Sequence, residues 1–303
     1  MSVPSNALAG RARDLAALLR PRIGLLAAAG TLAGFVTSQP ALAEWPTVMP
    51  TIVPKGGLLL AVAGAALLSC GCSALNQVQE RREDGLMART RNRPLPSGRL
   101  TMRAALSLGL LCLACAAVLL SATQGGLLAA ALVPLTVAVY NGLYTPLKKR
   151  TSLAMLVGGL AGALPPMLGC VAAGGSLLAP QTLVLASVFY AWQVPHFWLF
   201  ARLHRADYAA AGFQAPHNGV GRAGAHGPLA LWVLSYGALM LLLPALGLVG
   251  VEAAKWLVTA LGLGLLCAAW PLATRERLGL ALVNGSLVLL LVLLTADALS
   301  RAA

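Results

Sequence analysis

Charged residues make up only 10% of this 303-residue sequence, against 58% hydrophobic ones, and the mean hydropathy is +0.79. That is too little charge to clothe a water-soluble globular domain and too little polarity for a disordered chain, so the composition is that of a membrane protein. Acids are scarcer still, nine against 22 Lys and Arg, for a formal net charge of +13. The excess falls in short clusters between apolar runs rather than along one soluble face, which excludes nucleic acid as the partner and marks the clusters as topology signals. No cysteine stands outside an apolar segment: Cys70, Cys72, Cys112, Cys115, Cys170 and Cys267 all sit where a thiol behaves as a small hydrophobe. Cys112 and Cys115 form a CxxC pair with no second pair or His nearby, which argues against a zinc site, and a disulfide framework is excluded with it. The first apolar run follows Arg11, Arg13 and Asp14, lacks a small-residue cleavage site, and is expected to remain as an uncleaved span.

What is present is a succession of apolar runs long enough, at about 20 residues each, to cross a hydrocarbon core of ~30 Å as helix. Nine such runs, approximately 23–39, 56–78, 104–122, 125–144, 152–173, 179–201, 228–249, 251–271 and 278–298, are bounded by charge, Pro or Gly. The 32 glycines suit helices that pack through small residues. With the N-terminus in the cytoplasm, 19 of the 22 Lys and Arg fall on that side and only Lys55, Lys255 and Arg301 on the other, the bias of positive-inside loops. The expectation is an all-α polytopic membrane protein: a nine-helix transmembrane bundle in a single domain over 1–303, with a short cytoplasmic segment, 1–22, and the C-terminus on the opposite side. Its sizeable loops, 79–103 and 202–227, are both cytoplasmic, and the chemistry is expected there.

Three of the nine acids, Glu80, Glu83 and Asp84, stand within five positions at the cytoplasmic end of the second run. Ionisable groups at membrane depth are costly and usually functional. Asn76, Glu80 and Asp84 recur at i, i+4 and i+8, along one helix flank with about 6 Å between successive Cα atoms. Such oxygens suit Mg²⁺, a hard ion that takes one or two carboxylates together with phosphate and water. Glu83, at i+7, aligns with Asn76 as well as Asp84 does, so both stay open as ligands; a solvated helix end paired with Arg81 and Arg82 is the plainer alternative. Arg89, Arg91, Arg93 and Arg99 follow closely, and guanidinium forks match phosphate oxygens. Tyr144 and Lys148 lie four apart at the cytoplasmic end of the fourth run, where Pro146 is expected to end regular helix. The four His, at 196, 204, 217 and 226, share one region. His196, beside Pro195, lies within a span, where it either packs or faces a cavity; the other three are assigned no role.

Asn76 through Gly98, read as N-x-x-x-E-x-x-x-D followed by ARTRNRPLPSG, resembles the first acidic motif of the intramembrane, UbiA-type prenyltransferase superfamily. Its members are nine-helix proteins that use Mg²⁺ and a polyprenyl diphosphate. YTPLKKRTSLAMLVGGLAGALPPMLG at 144–169, WQVPHF at 192–197 and DYAAAG at 207–212 are similar to its haem branch, the protohaem IX farnesyltransferases. The resemblance covers approximately residues 20–300. It implies an intramembrane cavity open to the cytoplasmic side of a bacterial inner membrane, with Asn76, Glu80 and Asp84 holding Mg²⁺ and diphosphate and Asp207 contributing from a second acidic segment. Tyr144 and Lys148 match a Y-x-x-x-K element that contacts the diphosphate, so Asp84, Tyr144 and Lys148 form the implied catalytic set. Arg89, Arg93, Lys148 and Arg150 are the implied diphosphate ligands, and His196 the implied haem ligand. Farnesyl diphosphate and protohaem IX are the implied substrates, membrane lipid the surroundings, and terminal oxidase assembly proteins the implied partners.

The sequence departs from the superfamily pattern at Glu80, where most members have Asp, at Ala211, where a second Asp would follow Asp207, and at Phe-Gln-Ala-Pro-His, 213–217, in the loop 213–226. A 4-hydroxybenzoate-type aromatic polyprenyltransferase would share the diphosphate site and differ in acceptor. A haem-binding electron carrier would need paired intramembrane His. A secondary transporter would show related halves with broken helices near the midplane, whereas the polar residues here crowd one membrane face.

Overall fold

A proline at the start of a helix presets the backbone for it and disfavours helix just before it. At Arg20-Pro21 this ends helix α1 (Ser5–Leu19), places Arg20 at φ 49°, and starts α2 (Pro21–Thr37) at 47° to the helix before it. In this computed structural model, which describes residues 5–38, 57–215 and 226–302, every regular element among the described residues is a helix. After α3 (Gly57–Gln79) and the short α4 (Arg81–Leu86) come α5 (Met102–Ser121) and α6 (Gly126–Leu147), the latter π-helical over Ala138–Tyr144. There follow α7 (Ala154–Ala172), α8 (Pro180–Leu203), the short α9 (Arg205–Ala210), α10 (His226–Ala245), α11 (Glu252–Thr274) and α12 (Glu276–Ala302).

Eight of these helices are each long and apolar enough to cross a bilayer, and α1 with α2 makes a ninth when the bent pair is counted as one span. All nine expected runs fall on them. Segment 1–22, expected as a short cytoplasmic segment, is helical over Ser5–Leu19, where Leu18 buries itself against Ala74 of α3 and Ala105 of α5. Both expected loops also fold a short helix, α4 in one and α9 in the other. Leu59, Leu127 and Trp256 are more than two-thirds exposed on the outside of the bundle, a surface suited to lipid rather than water.

Helix α2 packs on α3, α7 and α12, and α8 packs on α7, α10 and α12, so α2, α7 and α8 form the centre around which the other spans close. The α2–α7 crossing leaves no room for a side chain at its glycines. A Cβ on Gly34 would lie 1.9 Å from the Pro166 carbonyl oxygen, and one on Gly169 would lie 1.9 Å from that of Thr31. Thr31 Oγ1 adds a hydrogen bond to the Pro165 carbonyl at 3.0 Å. Apolar helices gain nothing from hydrophobic exclusion inside lipid, so this close van der Waals fit is what holds them. Gly169→Ala is therefore expected to destabilise the protein by about 1–3 kcal/mol, read as a lowered Tm in detergent. Gly264→Ala, whose added Cβ meets nothing within 4 Å, should leave the Tm unchanged; equal melting of the two variants would refute the close-contact account.

Candidate active site

Helix α3 stops at Gln79, Glu80 turns (φ −99°, ψ 13°), and α4 resumes with Glu83 and Asp84 in its first turn. The four-residue hydrogen-bond spacing survives the break: Glu80 N donates to Asn76 O at 2.8 Å and Asp84 N to Glu80 O at 2.7 Å. The flank expected to be one continuous helix is thus two helices in near register. Asp84, 1% exposed, accepts from Arg93 Nη1 on both oxygens at 2.8 Å, Glu80 pairs with Lys148, and Glu83 pairs with Lys149. A carboxylate withdrawn from water needs a compensating charge, and each of the three acids draws its cation from a later segment. Arg81 and Arg82, the neighbours in sequence, are exposed instead. Burial pushes the Glu83 carboxyl up, but the hydrogen bond and charge of Lys149 outweigh it and hold the group below its usual range. Burial lowers the Arg93 pKa, the nearby charge of Arg20 lowers it further, and Asp84 opposes both.

The second acidic segment folds onto the first. Asp207 Oδ1 accepts from Ala88 N at 2.8 Å, and Met87, Ala211 and Phe213 bury one another against Tyr208. Gln214 N donates to Lys148 O at 2.7 Å, while Lys148 Nζ lies 4.9 Å above the Tyr144 ring and 5.2 Å above that of Phe213. Burial pushes the Tyr208 hydroxyl up to about 12 against the opposing charge of Arg89. Asn76, Glu80, Asp84, Arg93, Tyr144, Lys148 and Asp207 therefore gather at one end of the bundle. Arg89 joins them from the side, 5.2 Å over the Phe200 ring of α8. Arg150 is exposed and has no ion pair among the described residues.

Among the described residues no three His, Cys, Asp or Glu are grouped as a ready-made metal cage. The donor set nevertheless fits Mg²⁺, which takes one or two carboxylates and completes its shell with phosphate and water. Glu83 Oε2, left open as an alternative ligand, is buried without a hydrogen-bond partner.

Tyr144 joins this polar end to an apolar cavity. The π-helical stretch of α6 begins well before Pro146, where the irregularity was expected, and side chains secure it. Asn141 Nδ2 donates to Cys72 O and Gln79 Oε1 at 3.1 Å each, Gln79 Nε2 donates to Asn141 O at 3.0 Å, and Asn76 Nδ2 donates to Thr145 Oγ1 at 3.2 Å. The Tyr144 ring lies 5.5 Å from that of Tyr140 and 5.3 Å from that of Phe197. Both neighbours line a cavity of about 470 Å³, walled elsewhere by Leu26, Leu68, Trp192 and Leu287, a volume in the range of small-molecule sites. His196 is on its wall, with Nδ1 2.7 Å from Asn284 Oδ1. The His204 ring lies tilted against that of Phe200, 4.5 Å away, with a pKa lowered first by burial and then by Arg89; His226 meets Arg202 at 3.1 Å, and His217 lies outside the described residues.

Sequence reasoning passed over Arg20 as a site residue, although the Arg-Pro step marks its bend, and over Asn284, although an amide within an apolar run is itself a signal. Arg93→Leu would leave Asp84 as an unpaired buried charge and is expected to cost about 3–5 kcal/mol of stability, measured as a fall in Tm. The double variant Asp84→Asn/Arg93→Gln should recover most of it; no recovery would mean that Arg93 supports the loop by packing alone.

Comparison with known proteins gives one family. Residues 27–293 match the UbiA prenyltransferase family. The protoheme IX farnesyltransferase of Oleidesulfovibrio alaskensis is 42% identical over 248 residues, covering 80% of this chain and 85% of its own. Among solved structures, a UbiA homologue from Aeropyrum pernix K1 matches with a TM-score of 0.71 at 19% identity, covering 94% of this chain and 100% of its own. A UbiA homologue from Archaeoglobus fulgidus bound to GPP and Mg²⁺ matches with a TM-score of 0.63 at 16% identity, covering 95% of this chain and 99% of its own. By the match over residues 27–293, the chain belongs to the UbiA prenyltransferase family, alongside the protoheme IX farnesyltransferases.

Proposed function

We propose that this protein transfers the farnesyl group of farnesyl diphosphate to a vinyl group of protohaem IX, with addition of water, giving haem O. The observation that carries the reading is the junction at Tyr144, where an apolar cavity ends against a cluster of acids and cations. A prenyl diphosphate has that same division, an apolar chain and a multiply charged anionic head.

Lys148, Arg89, Arg93 and Arg150 bind the diphosphate, and their charge grows in value as negative charge develops on the leaving group, which is the change a catalyst must favour. Mg²⁺, when bound by Asn76, Glu80, Asp84 and Asp207, supplies Lewis-acid charge to the same oxygens. Tyr144, buried between Tyr140 and Phe197, closes the cavity below the head group and keeps water from farnesyl C1 while the C1–O bond breaks. The vinyl π electrons form the new bond to C1. The benzylic-type cation left on the porphyrin side chain is captured by water, which then loses a proton, so that no protein nucleophile is required. His196 holds the porphyrin by its iron.

The charge bias of the loops supports a cytoplasmic N-terminus, a cavity mouth on the cytoplasmic face of the bacterial inner membrane, and a C-terminus on the opposite side. Assembly proteins of a terminal oxidase, which would consume the product, are the natural partners. The test incubates membranes holding the protein with protohaem, farnesyl diphosphate and Mg²⁺, with a chelated control, and identifies extracted haems by mass spectrometry. Haem O is expected; prenylated 4-hydroxybenzoate in a parallel incubation, with no haem O, would move the acceptor to an aromatic ring. Asp84→Asn keeps an oxygen for Arg93 and should leave the protein folded while abolishing turnover; near-normal activity would remove Asp84 from the metal site.

A further inference from the structure

Within the cavity wall, α8 and α12 are joined by the hydrogen bond between His196 Nδ1 and Asn284 Oδ1 at 2.7 Å. The imidazole is held on its faces as well. Trp192 stacks on it at 5.0 Å with planes 27° apart, and Phe200 lies at 6.1 Å and 21°, the two being one helical turn before and after it. Trp192 Nε1 also donates to Val283 O at 3.0 Å, which fixes α12 at the residue beside Asn284. The ring therefore has little freedom to turn.

An amide oxygen only accepts, so the Nδ1 facing it carries the proton, and a neutral imidazole protonated there has its lone pair on Nε2. Nε2 has no hydrogen bond among the described residues, and His196 lines the cavity. Imidazoles that ligate metals are held in this way, giving the outer N–H to an oxygen and the other nitrogen to the metal. The Asn284 amide, set in a largely apolar stretch of α12, is costly unless it has such a partner.

We infer that Asn284 is a positioning residue that holds His196 in its Nδ1–H tautomer, so that Nε2 offers a lone pair to porphyrin iron and the cavity selects the metallated tetrapyrrole over the metal-free one. The inference rests on the reading of His196 as the haem-binding residue, and goes beyond it by assigning the tautomer, its cause and the resulting selectivity. The full-length protein in detergent is titrated with ferric protohaem IX and, separately, with metal-free protoporphyrin IX, following the Soret band, the affinity and the reduction potential of bound haem. Asn284→Leu should weaken protohaem binding by roughly 10- to 100-fold, move the Soret band toward that of His196→Ala and raise the KM for protohaem. Its affinity for metal-free porphyrin, which has no iron for Nε2 to meet, should stay as it was. Asn284→Asp keeps an acceptor in place and should restore affinity while lowering the potential of the bound iron.

If Asn284→Leu keeps the Soret band and affinity while His196→Ala loses both, His196 binds iron unaided and the inference alone fails. Unchanged spectra in both variants remove the His196 reading and the inference together. An interhelical hydrogen bond could also serve only to hold helices, so each variant is melted in parallel. A lowered Tm in Asn284→Leu with an unchanged spectrum assigns the pair to packing and overturns the proposal, as does an equal loss of affinity for both porphyrins.

Discussion

A carboxylate at the rim of an apolar bundle stays ionised only with positive charge beside it, and the arrangement of the polar end follows from that requirement. Glu80, Glu83 and Asp84 stand together in the turn after α3 and the start of α4, and each is met by a cation from elsewhere: Lys148 and Lys149 beyond the end of α6, Arg93 from the loop before α5. These pairs draw three chain segments into one corner, and the bond from Ala88 N to Asp207 adds a fourth. The three ion pairs are balanced, Asp207 adds a fourth acid, and Arg20 and Arg89 stand close by with no carboxylate pair among the described residues. A site so composed can admit an anion and a divalent cation together with little net change in its charge.

The spans were legible because a bilayer imposes its thickness on any helix that crosses it, and the acidic cluster because carboxylates are so few here that three together stand out. What could not be read is what depends on distant segments meeting. Nothing local to Glu80 names Lys148 as its partner, and nothing in the apolar run around Asn284 says that the amide faces His196 rather than a lipid tail. The break at Glu80 was hidden for a different reason: the residues across it keep a helical spacing, so periodicity alone cannot tell one helix from two in near register. The family resemblance supplied Asp207 as a site residue, and the structure adds its physical attachment, through a backbone N–H of the segment that follows Asp84.

The charged corner and the polar pair in the cavity are carried by different helices. The acids and cations belong to the end of α3, to α4, to the loop before α5 and to the foot of α6, whereas the polar pair inside the cavity joins α8 to α12. These two groups touch where Tyr144 lies on Phe197, ring on ring, and where Arg89 lies over Phe200. The charged corner and the polar pair of the cavity thus have separate supports in the fold that meet at these aromatic rings.

The wide turn at Ala138–Tyr144 has a consequence for how such a protein can change over generations. Upstream of it, α6 answers to the bilayer, with Leu127, Leu128 and Leu135 turned outward; downstream it presents Tyr144 and Lys148 to the polar corner. A π-helical turn winds in more chain than an α-helical one, so loss of a single residue there is absorbed when the coil tightens, and the chain beyond keeps nearly its facing. The same loss from the α-helical stretch before the turn has no such slack and would rotate everything beyond by about 100°, taking the aromatic ring and the ammonium group out of the corner together. Length variation inside the wide turn is therefore compatible with the polar corner, whereas one codon lost upstream of it would re-aim that corner in a descendant lineage.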